Sequence, residues 1–170
     1  SVRGVEMRAM EVSTQPGVEQ TKPGIMLVGN MHGDEPVGRE LILRFARLLC
    51  IAHERRQRSA GGDDAGERGL EKDPSDEASA NLLDEAAVVA RRARVFLVPT
   101  MNPDGFSAKR RNNAASKDLN RDFPDQFNEP GMPARFDARQ PETAAMMRFS
   151  EGVNATAALN FHEGALVANY

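Results

Sequence analysis

A chain of 170 residues with 22 Lys plus Arg against 25 Asp plus Glu carries a net charge of −3. That balance offers neither the basic excess of a nucleic-acid binder nor the acidic excess of a solvating tail. Hydrophobic residues make up 40%, enough for one packed domain, and no apolar run approaches the roughly 18 residues of a membrane span. The single cysteine, Cys50, closes no disulfide within the chain.

Met7 to Val12 predicts a short strand that ends at the turn Gln15-Pro16-Gly17. Pro23-Gly24 then launches Ile25-Met26-Leu27-Val28, too short for a helix and expected as a buried strand that stops at Gly29-Asn30. Pro36 suits a first helical turn, and Val37, Leu41, Phe45 and Leu48 recur at helical spacing, predicting an amphipathic helix over 36–52. Residues 53–81 change character: 13 of the 29 are charged and Leu70 is the only large aliphatic, so this stretch is expected as an exposed, mobile insertion. Asn81 and Asp84 suit the start of a short helix to Arg92, and Val95-Phe96-Leu97-Val98 is a second buried strand, closed by Pro99. After a long polar loop, Pro141-Glu142-Thr143 opens a helix that stops at Gly152, and Ala155 to Phe161 is a last strand.

Alternating strands and helices predict an α/β fold: an open, mostly parallel mixed sheet with helices on both faces. Ligands of such sheets bind outside the carboxyl ends of strands. Three polar clusters fall there: His32-Gly33-Asp34-Glu35, Asn102-Pro103-Asp104-Gly105 and His162-Glu163. Histidine nitrogen and carboxylate oxygen are good zinc ligands, and three protein ligands leave a position open for water. A close pair on one loop and a third ligand far along the chain is a practical way to build such a centre. Taken alone, His-x-x-Glu also suits an acidic helix N-terminus beside a loop histidine. The remaining histidine, His53, borders the charged stretch and reads as solvated. Arg111, Asn120 and Arg121 suit an anionic substrate group, because guanidinium forks match carboxylates; a solvated basic loop at Lys109-Arg110-Arg111 is the plainer alternative.

In combination these segments resemble the metallocarboxypeptidases. Gly29-Asn30-Met31-His32-Gly33-Asp34-Glu35 followed by Val37-Gly38-Arg39-Glu40-Leu41 is similar to the family's zinc loop and helix. Pro99-Thr100-Met101-Asn102-Pro103-Asp104-Gly105-Phe106, Asp118-Leu119-Asn120-Arg121 and His162 with Leu166-Val167-Ala168-Asn169-Tyr170 match in the same order. The details point to the carboxypeptidase N/E subfamily. The resemblance implies that His32, Glu35 and His162 hold one zinc ion and that Asn120 and Arg121 grip a substrate's terminal carboxylate. It further implies that Arg111 stabilises the oxyanion and that Asp118 orients the first zinc histidine. The implied activity is release of the C-terminal residue, Lys or Arg in that subfamily, from peptides or proteins, in the secretory pathway or outside the cell. No nucleic acid and no membrane span in this segment is expected.

Three features depart from the pattern: Glu163 stands where the subfamily usually has glycine, Asp122 where asparagine is usual, and the 53–81 stretch is long. The family's general-base glutamate and substrate-binding tyrosine lie further along than Tyr170. Residues 1–170 are accordingly expected to be an internal part of the catalytic domain, incomplete at both ends and inactive by themselves. Two other readings share the motifs: an inactive relative that binds peptide C-termini, and a zinc deacylase of the aspartoacylase type.

Overall fold

The computed structural model describes residues 1–18, 21–60, 74–125 and 135–164. Within these residues four strands, β1 (Met10–Val12), β2 (Gly24–Gly29), β3 (Arg94–Val98) and β4 (Ala157–Phe161), form one open sheet in the order β1-β3-β2-β4. β2 is parallel to both its neighbours, and only β1 runs antiparallel, on β3. Among the described residues four α-helices accompany them: α1 (Val37–Ala60), α2 (Pro74–Arg92), α3 (Pro103–Ala108) and α4 (Pro141–Val153). Among the described residues no helix is long and apolar enough to cross a membrane.

Alternation along the central strands explains why both faces are covered. Leu27, Val95 and Leu97 turn to one face, where they meet Ile42, Leu49 and Ala52 of α1 and Ala86, Ala87 and Ala90 of α2. Met26, Val28, Phe96 and Val98 turn to the other, against Met146 of α4 together with Met101 and Leu119. The chain moves from β2 to β3 on one side and returns through α4 to β4 on the other. The carboxyl ends of β2 and β4 are therefore adjacent, although 132 residues of sequence separate the paired Gly29 and Phe161.

Several boundaries differ from expectation. The first strand pairs only from Met10, not Met7, and the last only from Ala157, not Ala155. α1 runs to Ala60 rather than residue 52, and α2 begins at Pro74 rather than near Asn81. Both ends of the 53–81 stretch are thus helical. The charged and polar residues of 53–58 are exposed, and Arg, Glu and Gln are good helix formers that need no core to pack on. Residues 61–73 of the expected insertion lie outside the described residues. The long polar loop after β3 contains α3: Pro103 supplies its first turn, and the Asn102 side chain accepts from the Gly105 N–H as its cap.

Candidate metal centre

β2 ends at Gly29, and the next residue turns the chain. Asn30 is fully buried with φ +54°, a left-handed conformation that asparagine tolerates better than other non-glycine residues. Its amide Nδ2 donates to the carbonyls of His32 at 2.9 Å, Gly33 at 3.3 Å and Glu35 at 3.2 Å. One side chain thereby gathers the whole His32–Glu35 loop around itself. Gly33 is required by close packing. A Cβ there would lie 2.0 Å from the Gly105 carbonyl carbon and 2.3 Å from the Phe106 nitrogen, because the loop rests backbone to backbone on α3.

The loop and the end of β4 bring two histidines and a carboxylate together. His32, 2% exposed, approaches Glu35 Oε1 through Nδ1 at 2.8 Å. His162 Nδ1 lies 3.2 Å from His32 Nδ1 and 3.0 Å from Glu35 Oε2. Glu35 turns a different oxygen to each histidine; with one ligand atom per residue, the three fall within 4.8 Å of one another. Bonds of about 2.1 Å in a tetrahedron put ligand atoms about 3.4 Å apart, so an N,N,O donor set of this spacing fits zinc with small adjustments. Each imidazole is held by its other nitrogen. His32 Nε2 is 3.1 Å from Asp118 Oδ1, and His162 Nε2 is 3.1 Å from the Asn160 amide.

Asp118 works in three directions. Besides facing His32, it accepts from Arg111 Nε and Nη2 at 3.1 and 3.0 Å and caps the short 3₁₀ turn Leu119–Arg121 through the Asn120 N–H at 2.9 Å. The same guanidinium directs Nη1 at His32 Nδ1, 3.2 Å away. Burial by itself would raise both central carboxyls, but hydrogen bonds outweigh it. Glu35, bonded by the Glu163 N–H and both histidines, and Asp118, bonded by the Asn120 N–H and Arg111, are held below the ordinary carboxylate range. Asn120 and Arg121 sit exposed on the 3₁₀ turn directly after Asp118. Arg121 donates to the Asn120 carbonyl and forms no ion pair with the described residues. His53 bonds Gln57 on the exposed end of α1, away from this cluster.

Sequence reasoning placed Asn102 and Asp122 in motifs but assigned none of the contacts that shape the loops. Asn102 Nδ2 donates to the Met31 and Arg111 carbonyls, joining the His32 loop to the arginine loop. Glu142, fully buried in the first turn of α4, accepts from Asn113 Nδ2 at 3.1 Å and from the Val2 N–H at 3.0 Å. Asn113 in turn closes the loop before Asp118 by accepting from the Ala115 and Lys117 N–H groups. Asp122 accepts from the Gln140 N–H at 2.7 Å and ties the 3₁₀ turn to the start of α4.

The model of the zinc carboxypeptidase family matches residues 1–170 in full. The chain belongs to that family. It is 39% identical over 172 residues to Carboxypeptidase SOL1 of Arabidopsis thaliana, covering all of this chain and 29% of that protein. It is 35% identical over 199 residues to Carboxypeptidase E of Caenorhabditis elegans, covering all of this chain and 36% of the relative. Among solved structures, a metallo-carboxypeptidase from Pseudomonas aeruginosa aligns with a TM-score of 0.57 at 24% identity, over 96% of this chain and 33% of its own. This last likeness concerns the fold: the mixed open sheet described above is the zinc carboxypeptidase fold. The chain spans about a third of the length of these relatives. Zinc is the metal of the family, and the cluster of His32, Glu35 and His162 suits it.

Proposed function

We propose that the protein is a zinc-dependent exopeptidase that releases the C-terminal residue from peptides or proteins, with His32, Glu35 and His162 as the metal ligands. The observation that carries this reading is the convergence of two imidazole Nδ1 atoms and one carboxylate beside a guanidinium that Asp118 holds in a fork. Zinc bound there supplies Lewis-acid polarisation of the scissile carbonyl.

The chain's own residues do the rest. Asp118 accepts a hydrogen bond from the Nε2–H of His32, which leaves Nδ1 as the electron-pair donor and fixes the ring. Arg111 offers a cationic donor in the same place, suited to the oxygen that becomes negative as the carbonyl is attacked. Asn120 and Arg121 present an amide and a planar cation on a rigid 3₁₀ turn, which together suit a terminal carboxylate. Recognition of that carboxylate makes the enzyme act from the C-terminus. Residues 1–170 are read as part of a single catalytic domain, and the subfamily resemblance supports a secretory or extracellular setting and a C-terminal Lys or Arg.

The test is release of the terminal amino acid from peptides ending in Lys, Arg or Phe by the full-length protein. Release is expected to stop with a chelator, return with zinc and vanish in His162→Ala. Binding of such peptides without release would favour a non-catalytic binder, and cleavage of N-acyl amino acids in place of peptides would favour a deacylase.

A further inference from the structure

His162 comes from a different element than the other two ligands. His32 and Glu35 share one short loop that Asn30 gathers from within. His162 instead follows β4, whose residues Ala157 to Asn160 are exposed among the described residues.

Glu163 makes two contacts at that point. Its N–H donates to Glu35 Oε2 at 3.1 Å. Its carboxylate Oε1 accepts from the N–H of Val37, the first residue of α1. That N–H is one of the donors a helix leaves unpaired at its start, and negative charge is favoured there. The contact is continued by packing: a Cβ on Gly38 would lie 2.5 Å from the Cβ of Phe161, so the first turn of α1 lies directly on the last residue of β4. The positive φ needed to leave the strand falls on Gly164, at +110°, and not on Glu163.

We propose that Glu163 is a positioning residue: its carboxylate latches the end of β4 to the first turn of α1 and so holds His162 at the metal centre. The latch rests on the reading of His32, Glu35 and His162 as metal ligands. It joins the strand bearing the third ligand to the helix that directly follows the first two. Substitution of Glu163 removes the side-chain half of the link, while the backbone bond to Glu35 is open to any residue.

The experiment uses the full-length protein and measures zinc affinity by competition with a chromogenic chelator, alongside thermal unfolding of the metal-free form. Glu163→Ala is expected to weaken zinc binding about tenfold, the low end for residues that orient ligands because the carboxylate is exposed. Glu163→Gln keeps an acceptor for the Val37 N–H and is expected to stay within about threefold of the native protein, since the neutral bond is weaker but present. A cap that merely stabilised α1 would lower the metal-free melting temperature of Glu163→Ala and leave zinc affinity unchanged; that result overturns the latch. So does a Gln variant as weak as the Ala variant, which would point to bulk charge rather than a bond. His162→Ala separates the two levels. If it leaves zinc affinity intact, the metal-centre reading fails and the latch with it; if it abolishes binding while Glu163→Ala changes nothing, the latch alone is overturned.

Discussion

Replacing Asn30 by alanine removes the side chain around which the His32–Glu35 loop is wrapped. The Asn30 amide reaches three carbonyls at 2.9 to 3.3 Å, but two N–H bonds amount to at most two full-strength contacts. At a net 0.5–1.5 kcal/mol each, their loss costs about 1–3 kcal/mol. Alanine must also adopt the positive φ of 54°, which costs an L-residue without a helpful side chain about 1–2 kcal/mol. Asn30 Oδ1 is buried with no partner among the described residues, so its removal returns part of this. The net expectation is about 3 kcal/mol lost. Asn30→Gly forfeits the same bonds but adopts the backbone freely, so it should be about 1 kcal/mol better than the alanine variant. Urea unfolding of the chelator-treated protein measures both without the linkage that bound zinc would add. An alanine variant within about 0.5 kcal/mol of the native protein, the scatter of ordinary surface changes, would refute the claim that this amide organises the loop.

Two further outcomes follow from the same geometry. Arg121→Lys should raise KM about 10- to 100-fold for peptides with a free C-terminal carboxylate, because a point charge replaces a planar fork and about 1.5–3 kcal/mol of charge-assisted bonding is at stake. An unchanged KM in steady-state assays would remove Arg121 from the proposed clamp. Glu11 joins β1 to β3 through Arg94 at 2.9 Å. Burial by itself would raise its carboxyl, yet the bonds from Arg94 and the Gly17 N–H hold it below the ordinary value of 4.5. Its contribution to stability is therefore complete above the unfolded pKa and disappears as the pH falls through the lower folded one. Melting temperatures from about pH 6 down to about pH 3 should fall more steeply for the native protein than for Glu11→Gln; parallel curves would show that the pair contributes nothing.

Local patterns in the sequence were sufficient for much of this fold. Ile25–Val28 and Val95–Val98 are apolar on both sides because parallel strands are covered on both faces, and Val37, Leu41, Phe45 and Leu48 carry a helical period. Helix ends were less legible, since the charged residues after Ala52 are compatible with helix or loop alike and nothing buried decides between them. The three ligand candidates stood out because histidines and a glutamate followed predicted strands and matched a family's order of motifs. What holds them is a different matter. The pairing of Asp118 with both His32 and Arg111, the aim of the Asn30 amide and the reach of Glu163 to Val37 depend on which backbone groups become neighbours when β4 pairs with β2. No spacing rule encodes those contacts. Glu142 shows the reason most plainly: in the sequence it is a first-turn acid beside Pro141, and only the packing of α4 turns it into a fully buried acceptor for Asn113 and Val2. Periodicity reports which side of an element faces the core, whereas the partner of a polar group is set by long-range topology, which only the folded chain decides.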